Sequence, residues 1–186
     1  MDNDKSRPNR KSIRLKGYDY SQAGAYFITI CCQHMKCLFG KIVTDEMMLN
    51  EYGTIAYNEW NKLQDRFSNF ELDVFQIMPN HMHGIIVLNE FVGATLAVAR
   101  AGASPAPTVN STIGDIVGAY KSLVANNCLQ IFTEKSVGIT PTPRMGKLWQ
   151  RNYHDHIICN EQSYQTISNY ITSNPLLWKD DKFFIP

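Results

Sequence analysis

The sequence has no long apolar run, no paired cysteine motif and a net charge of only +1. No stretch approaches the roughly 18 apolar residues of a membrane-spanning helix, and the polar, basic N-terminus has no apolar segment typical of a signal peptide. The five cysteines are odd in number and include no Cys-x-x-Cys pair, which argues against a disulfide framework or a zinc knuckle. We therefore expect a cytoplasmic protein whose cysteines are small apolar residues.

The length of 186 residues, 44% of them hydrophobic, suffices for one substantial core and is short for two average domains. We expect one domain over residues 1–186. The whole chain does not attract a polyanion, but its positive charge is concentrated in residues 1–17. This basic arm is typical of segments that contact phosphates, and a solvated, frayed terminus would have the same composition.

Apolar periodicity predicts strands alternating with amphipathic helices. The predicted strands are 25–32, a short edge strand at 38–43, 71–78, 81–88 and the latter part of 147–158. The predicted helices are 49–67, one capped by Ser111 or Thr112, and one that is capped by Asn160 and ended by Pro175. This order predicts an α+β, ferredoxin-like (split βαβ) antiparallel sheet with helices on one face and an added C-terminal helix. Residues 89–110, rich in Ala, Gly and Pro, are predicted to be a flexible insertion loop.

Two histidines, His81 and His83, open the predicted strand 81–88. Side chains two residues apart on a strand point to the same face, so the two imidazoles lie side by side. Imidazole nitrogens are common ligands of first-row divalent metals, and a rigid strand holds them in place. Histidines at this spacing also occur as structural residues, so a metal site needs further ligands from elsewhere in the chain.

The last predicted helix carries Tyr170 and Asn174, which are four residues apart and therefore share a face. If this helix crosses the sheet near His81 and His83, the site has two imidazoles, an amide oxygen and a phenol. Such a site can break a phosphodiester, with a metal polarising the phosphate and the phenol oxygen attacking to form a phosphotyrosine. Equally, Tyr170 can be a core aromatic and Asn174 an ordinary residue at a helix end.

Four segments together resemble the HUH single-tyrosine transposases, in which U is a bulky hydrophobic residue, here Met82. The segment that carries the histidines is Met78-Pro79-Asn80-His81-Met82-His83-Gly84-Ile85-Ile86. The others are residues 12–20, 149–158 and 170–175, in the order expected for the REP-associated tyrosine transposases. The resemblance covers nearly the whole chain apart from residues 89–110.

This resemblance implies a protein that binds single-stranded DNA hairpins, such as repetitive palindromic elements, and is nucleoid-associated when bound. It implies that Tyr170 cleaves the DNA through a covalent 5′-phosphotyrosine and that strands are rejoined without a nucleotide cofactor. It also implies a divalent metal, Mg²⁺ or Mn²⁺, held by His81, His83 and Asn174. Insertion-sequence relatives have glutamine at the position of Asn174, which is one methylene shorter, so its helix must approach more closely.

Basic side chains are expected to contact the DNA: Arg10, Lys11, Arg14, Lys16, Lys121 and Arg151. Tyr153 is an alternative nucleophile, because the neighbouring His154 and His156 repeat the spacing of the first histidine pair. Asp155 or His156 is instead a candidate to orient a metal-binding histidine.

Two other functions compete with the transposase reading. Histidine-triad nucleotide hydrolases need a further histidine at position 85, and Ile85 excludes that class. A non-catalytic, ferredoxin-like protein that binds single-stranded nucleic acid is the alternative, since exposed aromatics and a basic arm can hold bases without cutting them. We expect a monomer, as in the REP-associated branch, although insertion-sequence relatives are dimers with exchanged helices. The sequence leaves open whether Tyr170 serves its own chain or a partner.

Overall fold

The structure, a computed structural model, describes residues 17–89, 111–141 and 143–185. The expected DNA contacts of Arg10, Lys11, Arg14 and Lys16 lie outside the described residues, as does the predicted loop beyond residue 89. Within the described part of the chain, no helix is long and apolar enough to cross a membrane.

Strands and helices alternate in the predicted order, with one additional strand. The elements are β1 (Gly24–Cys31), β2 (Gly40–Val43), β3 (Glu46–Leu49), α1 (Glu51–Asn61), β4 (Phe70–Ile77), β5 (His81–Leu88), α2 (Ile113–Lys135), β6 (His154–Ile158) and α3 (Glu161–Ser173). Short 3-10 turns lie at Gln33–Met35, Lys62–Asp65 and Trp178–Asp180. The predicted helix 49–67 is therefore wrong at both ends, because Leu49 belongs to a strand and the last turn tightens to a 3-10 turn.

Polar caps fix where the helices begin. The side chain of Asn50 accepts a hydrogen bond from the Gly53 amide at 3.0 Å, which starts α1 directly after β3. Thr112 and Asp115 form a capping box at the start of α2. Asn160 accepts from the Ser163 amide at 2.8 Å and caps α3 as predicted. Asn50 was not predicted as a cap.

The main sheet has the order β4-β5-β1-β6, with every neighbouring pair antiparallel. In this order β5 lies between the two strands of the β1–α1–β4 unit, and β1 lies between the two strands of the β5–α2–β6 unit. The split βαβ, ferredoxin-like prediction is therefore confirmed. The additional strand pairs in a separate hairpin, in which β2 and β3 are joined between β1 and α1.

The two faces of the sheet have different coverings. Alternate residues of β1 and β5, such as Tyr26, Ile28 and Ile86, pack with α1 and α2 in the main hydrophobic core. Helices α1 and α2 also meet through Tyr120, whose hydroxyl donates to the Ala56 carbonyl at 3.2 Å. The intervening residues of both strands point to the other face, which α3 crosses. Both histidines of β5 lie on this second face.

Gly84 lies beneath an indole ring of the main core. A Cβ atom at this position would lie 2.7 Å from Cζ2 of Trp60 and 3.2 Å from Cβ of Phe75. Only glycine therefore lets the indole ring of Trp60 lie directly against β5. The strand that carries the histidine pair is fixed from behind by this close contact.

Candidate active site

The two histidines of β5 meet edge to edge beneath α3. Both have no exposed surface, and their Nε2 atoms are 3.0 Å apart. The hydroxyl of Thr29, which lies opposite His83 in the β1–β5 register, is 2.8 Å from Nδ1 of His83. Nδ1 of His81 is 2.8 Å from Oδ1 of Asn80. Each ring therefore has a partner at Nδ1, and the two Nε2 atoms lie within hydrogen-bond distance of each other.

Asn80 determines which nitrogen of His81 carries a proton. Its amide nitrogen donates to the carbonyls of Met35 at 3.2 Å and Phe183 at 2.8 Å, so its oxygen must face His81. The oxygen can only accept, so Nδ1 of His81 donates and its Nε2 has a free lone pair. Because Nε2 of His81 carries no proton, its 3.0 Å contact with Nε2 of His83 is a hydrogen bond when Nε2 of His83 donates and its Nδ1 accepts from Thr29. In the other tautomer of His83, Nδ1 donates to the Thr29 hydroxyl, and both Nε2 lone pairs are open to a cation.

Burial keeps both imidazoles neutral. Desolvation lowers the pKa of His81 to about 4, although the nearby Asp181 carboxylate acts against this change. Desolvation, followed by the neighbouring His81, holds the pKa of His83 well below its usual value. Neutral imidazoles have the lone pair that a metal ion needs, so at pH 7 neither ring must lose a proton to become a ligand.

Helix α3 brings Tyr170 to the histidine pair. Its hydroxyl is 3.1 Å from Nε2 of His83 and donates to Oδ2 of Asp181 at 2.9 Å. Burial and the bond to Asp181 raise the pKa of the Tyr170 phenol well above its usual range, and a hydrogen bond from Asn174 acts against this increase. The phenol therefore keeps its proton at neutral pH until a nearby positive charge lowers its pKa or a base removes the proton.

Asn174 reaches the same place but presents a different atom from the one expected. Its amide nitrogen donates to Oδ2 of Asp181 at 2.7 Å, and its Oδ1 is buried with no hydrogen-bond partner among the described residues. A carboxylate can only accept, so Asp181 fixes the orientation of this amide. The sequence-based expectation that the amide oxygen of Asn174 lies beside the phenol is corrected, because the NH₂ group occupies that side.

Asp181 is the site residue that the sequence reasoning missed. It follows the Trp178–Asp180 turn, and its Oδ1 accepts from the amide of Phe183 at 2.6 Å. His81, His83 and Asp181 each offer one ligand atom, and these atoms all lie within 4.8 Å of one another. The rings of Phe183 and Trp178 cover His81, with centroid distances of 4.6 Å and 5.9 Å. The C-terminal segment is thus part of the site.

The alternative site around Tyr153 is not assembled. Tyr153 packs against the main core. His154 and His156 are exposed on β6, where they pair with Thr29 and Phe27 and share with them the opposite face of the sheet. Asp155 pairs with Ile28 and so points toward the main core.

The residues that orient the buried histidine pair are Thr29 and Asn80. The expectation that Asp155 or His156 orients a metal-binding histidine is therefore corrected.

The side chain of Lys121 contacts the backbone of Arg151. The half-buried ammonium of Lys121 donates to the carbonyls of Gln150 at 2.7 Å and Arg151 at 3.0 Å, and burial lowers its pKa. The side chain of Arg151 is exposed at a groove of about 620 Å³. This groove, here called the basic groove, is lined by Gln33, His34, Lys147, Trp149, Gln150 and Arg151. The Gln150 amide donates to the Cys31 carbonyl at 2.9 Å, and Cys31 pairs with His81, so β1 lies between the Gln150 backbone and the histidine.

Comparisons with known proteins agree with this architecture. No family model matches the chain. A protein of Haemophilus influenzae, described only as uncharacterized, is 39% identical over 184 residues, which cover 95% of this chain and 94% of that protein. A REP-associated tyrosine transposase, whose structure was solved bound to a REP hairpin, has a similar fold with a TM-score of 0.56. That match has 16% sequence identity and covers 91% of this chain and 76% of the transposase chain.

Proposed function

We propose, because this chain belongs to the family of the Haemophilus influenzae protein and has the fold of the HUH single-tyrosine transposases, that it cleaves and rejoins single-stranded DNA. The fold supports a transposase-like, DNA-processing enzyme in general. The solved relative is bound to a REP hairpin, and we extend that substrate class, a short DNA hairpin, to this chain.

One observation carries the proposal. The Tyr170 hydroxyl lies 3.1 Å from Nε2 of His83, although 87 residues separate the two in the chain. A tyrosine with a purely structural role has no need of both an imidazole nitrogen and a carboxylate at hydrogen-bond distance from its oxygen. Because one chain supplies both groups, we also propose that Tyr170 serves its own chain and that a monomer is sufficient.

The proposed reaction is a transfer of phosphate to Tyr170. The phenol oxygen attacks the phosphorus, the bond from phosphorus to O3′ breaks, and the 5′-phosphate remains on the tyrosine. Oδ2 of Asp181 already accepts the phenol hydrogen bond, so it is the nearest base for the proton, while O3′ leaves and takes a proton to become a hydroxyl. Attack of a 3′-hydroxyl on the phosphotyrosine reverses these steps and joins the strands.

The donor atoms suit a divalent metal ion. Nε2 of His81 and Nε2 of His83 lie 3.0 Å apart, close enough for both nitrogens to bind one ion. Nε2 of His81 has a free lone pair, and the Asp181 carboxylate supplies negative charge to the same cluster. His81 and His83 would hold Mg²⁺ or Mn²⁺, which would stabilise charge on the scissile phosphate.

The basic groove is the proposed contact for the DNA next to the cleaved bond. Lys147 and Arg151 give it positive charge, and none of its described lining residues carries a carboxylate. Replacement of Arg151 by alanine should weaken binding of a single-stranded hairpin and reduce the slope of log K against log salt by about 0.7 to 0.9. Lys62→Ala, in the 3-10 turn after α1 and outside the lining of the groove, is the control, and an equal effect of both variants would argue against the groove.

The decisive experiment is a search for a covalent adduct between the chain and single-stranded hairpin DNA in Mn²⁺ or Mg²⁺. A metal-dependent adduct on a denaturing gel is expected for the unchanged chain and for Tyr153→Phe, and none for Tyr170→Phe. An adduct that survives in Tyr170→Phe and disappears in Tyr153→Phe would move the nucleophile to Tyr153. Retained hairpin binding with no adduct from any of the three proteins would identify a non-catalytic binder of single-stranded nucleic acid.

A further inference from the structure

We propose that Asp181, rather than Asn174, is the third protein ligand of the metal ion, and that Asn174 positions this carboxylate and the phenol of Tyr170. The inference rests on the proposed function, because it concerns the same metal site. It assigns a direct role in the site to the C-terminal segment, which lies outside the motifs that carry the resemblance to the transposases.

Asn174 and Asp181 present different kinds of atom to the histidines. Asn174 donates through its amide nitrogen to Oδ2 of Asp181, the same oxygen that accepts from the Tyr170 hydroxyl. A donor NH₂ group cannot bind a cation, and rotation of the amide would place its oxygen against the carboxylate of Asp181. Asp181 presents only acceptor atoms, and one of them lies within 4.8 Å of the ligand atoms of both histidines.

The hydrogen bonds of the Asp181 carboxylate leave a lone pair for a cation. A carboxylate offers about four acceptor positions. Oδ2 of Asp181 accepts from Tyr170 and Asn174, and Oδ1 accepts from the amide of Phe183. The described residues therefore use three positions, and the fourth, on Oδ1, is the one that can accept a cation. The hydrogen bonds also fix the carboxylate in one rotamer, as a metal ligand requires.

The chain is anchored on both sides of Asp181. The buried ring of Trp178 packs over His81 three residues earlier. The carbonyl of Phe183 accepts from Asn80 two residues later, and Asn80 also binds Nδ1 of His81. The same asparagine thus fixes a histidine and the segment that holds the carboxylate, so the ligand atoms are held in place together.

The test measures binding of Mn²⁺ alone, by calorimetry and by electron paramagnetic resonance, on the full chain without DNA. Asp181→Asn should weaken the affinity for Mn²⁺ about a hundredfold or more, since it removes a charged ligand. The loss of Mn²⁺ affinity in Asn174→Leu should be about tenfold smaller than that in Asp181→Asn, as expected for a residue that orients a ligand. Asp180→Asn removes the same charge one residue earlier, at an exposed position, and should leave the affinity unchanged.

Thermal unfolding without metal checks that each variant is folded, and a Mn²⁺-dependent rise in the unfolding temperature gives a second measure of binding. A loss in Asn174→Leu equal to or greater than that in Asp181→Asn would overturn the inference. Unchanged binding by Asp181→Asn together with lost binding by His83→Asn would also overturn it, and would leave the proposed metal-assisted reaction intact. Absence of Mn²⁺ binding by the unchanged chain would overturn both.

Discussion

Thr29→Val tests whether the histidine pair is held from behind by a buried hydrogen bond. The hydroxyl of Thr29 is 2.8 Å from Nδ1 of His83, and Thr29 is 2% exposed. Valine has nearly the same shape and an equal preference for strands, so the variant removes only the polar partner. In either tautomer of His83 the buried Nδ1 atom then has no partner, which costs about 1–3 kcal/mol.

The free energy of unfolding in urea at neutral pH, without metal, should therefore fall by about 1–3 kcal/mol in Thr29→Val. Thr166→Val is the matched control, because the hydroxyl of Thr166 donates to the Gln162 carbonyl on the exposed side of α3. This control should change the free energy by less than about 0.5 kcal/mol. Affinity for Mn²⁺ should also fall about 10- to 100-fold in Thr29→Val, since the ring of His83 loses its orienting partner. A free energy of unfolding within about 0.5 kcal/mol of the unchanged chain would refute the reasoning.

Two further predictions concern the same strand. The free energy of unfolding without metal should fall as the pH decreases from about 7 to about 4, because the unfolded histidines bind protons below about 6.5 and buried His81 does so only near 4. His81 alone contributes roughly 3 kcal/mol, and a His81→Asn, His83→Asn double variant should show a flatter dependence in urea titrations across this range. Gly84→Ala should lower the free energy of unfolding by about 1–3 kcal/mol, because the added Cβ would lie 2.7 Å from Cζ2 of Trp60. Gly118→Ala, in α2, where no described atom outside the neighbouring helix backbone lies within 4 Å of the added Cβ, should instead raise it by about 0.5–1 kcal/mol, and equal effects would contradict the packing argument.

The order of strands and helices could be predicted from the sequence because it depends on local periodicity. The apolar alternation of β1, β4 and β5 and the capping residues Thr112 and Asn160 are each visible within a short window. The start of α1 could not be found in this way, since Leu49 continues the apolar stripe of the following helix. Its backbone instead pairs with Gly40 in the β2–β3 hairpin. Strand pairing is a nonlocal interaction, and periodicity carries no information about it.

The candidate site could be located from sequence only as far as spacing determines direction. His81 and His83 share a face because they are two residues apart on a strand, and Tyr170 and Asn174 share a face because they are four apart on a helix. Spacing does not determine which end of an amide faces a neighbour, since that choice depends on whether the neighbour donates or accepts. Asp181 accepts, so the nitrogen of Asn174 turns toward it.

Asp181 itself lies in the run Lys179-Asp180-Asp181-Lys182, whose composition is typical of a solvated surface. Nothing in the run distinguishes Asp181 from Asp180, and the difference arises from its flanking aromatic residues. The rings of Trp178 and Phe183 pack against His81, and the chain between them places Asp181 beside the histidines while Asp180 is exposed. The position of this charge therefore follows from the burial of two rings against the β5 histidine, and an apolar residue on either side of a charged run is the sequence feature that could have indicated it.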